Sequence, residues 1–256
     1  MAKPLMAVFV VPASCRHLCR ILLLPALLLL TACATTPIGS TDPDALEGFN
    51  RPAYNFTDGA DRYLIKPVAE TYATHTPRLV RAGITNFFNN LLYLNVMVNS
   101  FLQGKIGQGF SDATRIVANT TIGLGGLVDV ATPIGLPSHD EDFGQTLAVW
   151  GAGQGSYLFL PLLGPNTTRD TPDLAMSTLL NPLIYIKAAI ALPLAFLNGV
   201  NTRANLLSAT ALRDENAVDP YIFTREAYLQ QRRDLIFDGN APTEGIDDMF
   251  DFDDED

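Results

Sequence analysis

The chain has 256 residues, 48% of them hydrophobic and 17% charged, with a net charge of −10. Such a length allows one sizeable domain once a leader is removed. With 17 basic against 27 acidic residues and no basic stripe, nothing points to nucleic acid as a partner.

The first 32 residues read as an address. Lys3, Arg16 and Arg20 supply positive charge with no acid before Asp42, and "ILLLPALLLL" supplies a short apolar core. This is the pattern of a secretory signal, too short to persist as a membrane-spanning helix. Leu30-Thr31-Ala32-Cys33 then resembles a bacterial lipobox, in which the signal is cut before a cysteine that becomes acylated. Several acyl chains, at about 0.8 kcal/mol per buried CH₂, make a durable anchor. By resemblance to sorting in enteric bacteria, Ala34 after the cysteine directs the product to the outer membrane. Cys15 and Cys19 fall in the leader, so Cys33 alone remains. Neither an internal disulfide nor a cysteine zinc site can then form.

Residues 33–43 read as an acylated linker, and the helical pattern starts at 44. Leu46, Phe49, Ala53, Phe56, Ala60 and Tyr63 recur at steps of three and four, which puts them on one helix face. Asp44 with Glu47 reads as a capping box, and Pro52 predicts a kink or break. In "ITNFFNNLLYLNVMVNSFLQGK", residues 84–105, Asn86/Asn90 and Asn95/Asn99 are pairs four apart on an otherwise apolar helix. A buried amide without partners costs roughly 1–3 kcal/mol, so these residues either tie helices together or line a polar passage.

Residues 142–165, "DFGQTLAVWGAGQGSYLFLPLLGP", raise the question of a phosphate-binding turn. Gly151, Gly153 and Gly155 lack the spacing and strand–helix context of a dinucleotide fingerprint, and Gly104-Lys105 is followed by Ile106 rather than a P-loop hydroxyl. Beside Trp150, Tyr157, Phe159 and Leu160, these glycines are expected to shape an irregular wall facing membrane or channel, with Gly123, Gly125 and Gly126 serving the same purpose. His139, Asp140, Glu141 and Asp142 could be drawn as a metal cluster but read better as a solvated acidic loop. No metal or cofactor is expected. With only His75 and His139 beyond the leader and no G-x-S-x-G elbow, the chain reads as no enzyme.

Residues 174–199 are long enough to span a bilayer. Asn181-Pro182, Lys187, Pro193 and Asn198 interrupt them, which predicts two shorter helices embedded in or lying along a membrane rather than one span. Lys187 is the only cation between Arg169 and Arg203, and is a candidate contact for a lipid headgroup. "DPYIFTREAYLQQRRDLIFDG" predicts a helix with Asp219 as its cap, Pro220 first and Gly239 as its stop. Strand signals are scarce, so residues 44–239 read as one all-α domain. Eight acids and no cation in residues 244–256 predict that 240–256 form a solvated, disordered tail.

Six blocks, "DPDALEGFNRPAYNF", "NFFNNLLYLNVMVNSFLQG", "NTTIGLGGLVDVA", "EDFGQTLAVWGAGQGSYLFLPLLGP", "RDTPD" and "DPYIFTREAYLQQRRDLI", resemble successive signatures of the MlaA (VacJ) outer-membrane lipoproteins. They occur in family order across residues 42–239, with Leu94 where many members have proline. The resemblance implies a ring-like helical protein partly embedded in the outer membrane and associated with a trimeric porin. Such a protein removes stray phospholipids from the outer leaflet through a channel and passes them to a soluble periplasmic carrier. Asn90, Asn95, Asn99 and Lys187 are the candidate channel or headgroup contacts. A lipoprotein that only braces a porin, and a phospholipid hydrolase, are the alternatives.

Overall fold

The computed structural model describes residues 44–242. The leader and linker, with Leu30, Thr31, Ala32 and Cys33, and the acidic tail beyond residue 242 lie outside the described residues.

The first helical rod is α1, Glu47–Ala60, which passes through a π-helical turn at Asp61–Ile65 into α2, Lys66–His75. The break expected at Pro52 does not occur. Pro52 lies on the exposed side of α1, while Asn50, Ala53 and Tyr54 hold the opposite side in the interior. The irregularity falls instead just before Pro67, whose ring would clash with the carbonyl four residues back, and the wider π turn relieves that clash. Arg203 clamps this turn with two 2.7 Å hydrogen bonds to the Asp61 carboxylate.

The capping box does not form either, because Leu46 is the N-cap of α1 and no side chain caps it. Asp44 is buried instead and accepts from Asn50 Nδ2 at 2.8 Å, from Arg225 at 3.0 Å and from the Tyr221 hydroxyl.

Next come α3, Arg78–Leu102, and α4, Ile106–Thr121, which fold back on each other as an antiparallel hairpin. Leu94 leaves α3 uninterrupted. Short α5, Phe143–Val149, follows a 3₁₀ turn at Thr132–Ile134. Two strands then appear that the sequence pattern does not announce, β1, Tyr157–Leu160, paired antiparallel with β2, Gly164–Thr167. The segment expected to be an irregular wall therefore ends in a hairpin. Asn50 docks that hairpin on α1 by donating to the Tyr157 carbonyl at 3.0 Å and accepting from the Phe159 amide at 2.8 Å.

The chain closes with α6, Asp173–Leu179, a 3₁₀ turn at Pro182–Tyr185, α7, Ala188–Asn205, α8, Leu207–Asn216, and α9, Pro220–Ile236. As predicted, Asp219 caps α9 by accepting hydrogen bonds from the amides of Tyr221 and Ile222, and Gly239 closes it at positive φ by donating its amide N–H to the Asp234 carbonyl. Residues 174–199 are broken where Asn181-Pro182 and Lys187 stand. Among the described residues, no helix is long and apolar enough to cross a membrane.

The packing is inverted relative to a water-soluble bundle. The apolar core is a small aromatic cluster of Tyr54, Tyr157, Phe159 and Tyr221 beside Ala53, with edge-on rings 5.3 Å apart for Tyr54 and Phe159. On α4 the buried side carries Asp112, Arg115 and Asn119, while Ile106, Phe110 and Val117 face outward. The α1 face made by Leu46, Phe49, Phe56 and Tyr63 is likewise exposed, with Ala53 the member that turns inward. On α3, Leu79 is 88% exposed whereas Asn99 and Ser100 are fully buried.

Candidate functional site

The polar interior is built where the α3–α4 hairpin meets residues 129–142. Asp112 of α4 is fully buried and accepts three donors: Tyr93 Oη at 3.0 Å, Ser100 Oγ at 2.8 Å and His139 Nδ1 at 2.7 Å. Burial pushes the Tyr93 hydroxyl pKa up, and the neighbouring carboxylate of Asp112 adds to the shift. Arg115, one turn on, straddles both oxygens of Asp129 at 3.2 and 3.3 Å and also donates to Thr132 Oγ1 and the Leu136 carbonyl. Burial alone would raise the Asp129 pKa. The hydroxyl and amide of Thr132, the amide of Asn119 and the charge of Arg115 outweigh burial and hold it at about 2.

The loop 139–142 is solvated only at Asp140, which is exposed, whereas Glu141 and Asp142 are bound into the fold. Among the described residues, no group of histidine, cysteine or carboxylate side chains is placed to hold a metal. Glu141, only 3% exposed, accepts from Gln103, Lys105 and Gln108 at 2.7–2.8 Å. Asp142 caps α5 through the Gln145 amide and pairs with Arg232 of α9, which also reaches Asp170 at 3.0 Å. Glu141 and Asp142 take separate partners because each fastens different helices to the loop.

The asparagine row divides between two environments. Asn99 is fully buried, donates to the Asn95 carbonyl and Oδ1, and accepts from Thr146 Oγ1 at 2.8 Å. Asn95 reaches Asp173 of α6 at 3.4 Å. Both are ties between helices. Asn86 and Asn90 instead line a cavity of about 400 Å³ with Tyr93, Arg115, Asp129 and His139. Lys187 is remote from that group in the chain; it is the exposed N-cap of α7, flanked by exposed Ile184, Tyr185, Ile186 and Ile190.

Two of the glycines have clear local reasons. At Gly126, with φ +91°, a β-carbon would lie 2.8 Å from that of Asn90, so glycine lets the loop after α4 rest on α3. At Gly155, with φ +68°, a β-carbon would fall 1.8 Å from Thr168 Oγ1. Gly125 and Gly151 also adopt positive φ, Gly123 is packed on the backbone at Asn119 and Val128, and Gly153 has neither constraint.

Sequence reasoning missed Asp112, Arg115 and Arg232. Their signal was present, since Asp112, Arg115 and Asn119 sit at helical spacing, but such a row normally marks the solvated face.

The profile of the MlaA lipoprotein family matches residues 42–235. A Shigella flexneri protein described as "Intermembrane phospholipid transport system lipoprotein MlaA" is 40% identical over 218 residues, 82% of this chain and 85% of its own. Proteins of the same description from Escherichia coli (strain K12) and Haemophilus influenzae are 39% and 33% identical, covering 85% and 87% of their own lengths and 82% of this chain in each case. A solved structure described as "Structural basis for maintenance of bacterial outer membrane lipid asymmetry" superposes with a TM-score of 0.66 at 37% identity. That match covers 78% of this chain and all of the other. The chain defines a helical lipoprotein-family fold with a polar interior. It belongs to the MlaA lipoprotein family.

Proposed function

We propose that this chain is an outer-membrane lipoprotein, anchored through Cys33, that removes mislocalised phospholipids from the outer leaflet. It passes them along an amphipathic channel to a soluble periplasmic carrier, working beside a trimeric porin. The observation that carries the reading is the inverted packing just described, in a chain whose relatives are described as phospholipid-transport lipoproteins. Large apolar side chains spread over so much surface are a liability in water and an advantage against hydrocarbon. A phospholipid moving past hydrocarbon needs polar groups for its head and apolar wall for its tails, and α3 and α4 supply both in one hairpin. The glycine segments at 123–126 and 151–155 let the wall bend. The chain carries no nucleotide-binding motif, so direction comes from partners.

Deleting the gene should raise surface-exposed phospholipid and sensitise cells to detergent with chelator, and restoring the chain should reverse both. Normal outer-leaflet lipid in the deletion strain would leave a brace for a porin as the better reading. The Asp112–His139 pair is the feature a hydrolase would use, and His139→Ala tests it: fatty-acid release from labelled phospholipid that vanishes in this variant would favour hydrolysis. The purified chain is expected to release none. Cys33→Ser should abolish incorporation of radiolabelled fatty acid. Cleavage elsewhere with an unmodified Cys33 would remove the anchor from the proposal.

A further inference from the structure

We propose that the cavity between α3, α4 and residues 129–140 selects phospholipids by headgroup, taking a primary ammonium, as in an ethanolamine head, over an anionic head. This rests on the transport reading above and adds a substrate preference to it.

The cavity measures about 400 Å³, within the range of pockets that enclose small ligands. Its one permanently charged cation is already spent. Arg115 gives Nη1 to Thr132 Oγ1 and the Leu136 carbonyl, and Nη2 to both oxygens of Asp129. The Asn119 amide is spent as well, donating to Asp129 at 3.1 Å and accepting the amides of Val130 and Ala131 at 2.9 and 3.0 Å. An entering phosphate therefore finds no free guanidinium or ammonium to meet it.

The wall also carries neutral donors, in Asn89, Ser138 and the second Nδ2 hydrogens of Asn86 and Asn90, but its open charge and its open amide oxygens are acceptors. Asn86 donates Nδ2 to the Leu127 carbonyl at 3.3 Å, and a carbonyl only accepts, so the orientation of this amide is fixed with Oδ1 unused. Asn90 donates Nδ2 to Thr120 Oγ1 at 2.9 Å and likewise keeps its Oδ1. The side chain of Asp140, also on the wall, has no hydrogen bond or ion pair within the described residues. His139 is engaged with the buried Asp112 at its Nδ1. Arg115 and Asp129 cancel, and the exposed Asp140, which feels Arg232 but makes no hydrogen bond or ion pair with it, places negative charge beside two amide oxygens. A primary ammonium carries three donors and one positive charge, and it complements that set. A trimethylammonium has the charge without the donors, and a glycerol head has donors without the charge.

The test titrates the purified full-length lipoprotein in maltoside detergent with dihexanoyl phosphatidylethanolamine, phosphatidylcholine and phosphatidylglycerol by calorimetry. Phosphatidylethanolamine should bind about tenfold more tightly than either of the others, the scale of one charge-assisted hydrogen bond. Asp140→Asn and Asn86→Leu should each reduce that advantage severalfold, in protein whose circular dichroism matches the parent. Equal binding of the three lipids, or a preference that survives both substitutions, would overturn the proposal. Phosphoethanolamine without acyl chains binding as tightly as the lipid would assign the cavity to a soluble amine and overturn the lipid assignment. The transport reading fails separately, on surface phospholipid in the deletion strain scored without regard to headgroup.

Discussion

Asp112→Ala is the sharpest test of the polar interior. The carboxylate is fully buried and takes hydrogen bonds from Tyr93, Ser100 and His139, so its removal affects three groups unequally. Ser100 Oγ also lies 3.0 Å from the Val96 carbonyl and can turn there at small cost. His139 is partly exposed and can recruit water. The Tyr93 hydroxyl, in a buried residue, loses its carboxylate acceptor and is left with the neutral Ser138 hydroxyl as its side-chain neighbour. A hydrogen bond to a charged acceptor is worth about 1.5–3 kcal/mol, and with three such bonds lost and each donor partly re-satisfied the total is about 3–4 kcal/mol. For a domain of this size each kcal/mol moves Tm by roughly 2–4 °C, so a fall of about 6–16 °C is expected. Far-UV circular dichroism of the detergent-solubilised protein reads it directly. Asp112→Asn keeps one acceptor oxygen and should lose about half as much. A Tm within 2 °C of the parent for Asp112→Ala would refute the idea that this buried carboxylate organises the hairpin.

Gly155→Ala should cost about 3 kcal/mol from positive φ and collision with Thr168; pairing it with Thr168→Ala should recover the collision but not the backbone share, and no recovery would contradict the geometry. The Asp129 carboxyl, held at about 2 in the folded chain against 3.8 as its ordinary value, adds stability that is complete above about pH 4 and lost as pH falls through 2. The stability difference between the parent and Asp129→Asn should therefore be flat from pH 8 to 4 and shrink toward pH 2, and a difference that changes between pH 8 and 5 would argue against it. Lys187→Glu should impair clearance of surface phospholipid more than Lys187→Ala, because it reverses attraction to phosphate; full complementation by both would end any headgroup role for Lys187.

The sequence made legible those elements whose signals act locally. Asp219, Pro220 and Gly239 mark α9 because caps, a first-turn proline and a positive-φ stop need only neighbouring backbone. Asn181-Pro182 and Lys187 mark breaks for the same reason. The hairpin at 157–167 was illegible because its stability is non-local: Asn50, more than a hundred residues earlier, supplies the hydrogen bonds that fasten β1. The capping box failed through a similar competition, since Tyr221 and Arg225 of α9 claim the Asp44 carboxylate. At the candidate site, the asparagine row could be placed on a helix but not oriented. Which amides tie and which line a cavity depends on Thr146, Asp173 and Thr120, contributed by other elements.

The inverted faces bear on how such a chain can work at a bilayer when none of its described helices is long and apolar enough to cross one. A polar row buried inside a water-soluble bundle gains little over hydration, because its groups were already bonded to water. Set against hydrocarbon, the alternative to an internal partner is no partner at all, and each bond inside the hairpin then weighs more. Asp112, Arg115 and Asn119 fit that second situation: their partners Tyr93, Asp129 and Thr132 come from the same hairpin or the loop that follows it, while Phe110 and Val117 face away. The buried row of α4 is thus satisfied within the hairpin and its following loop while apolar side chains point outward. A passage for phospholipid heads needs the reverse arrangement at one place only, where polar groups keep a free valence. Along the cavity wall, Asn86, Asn90 and Asp140 are among the groups that keep such a valence.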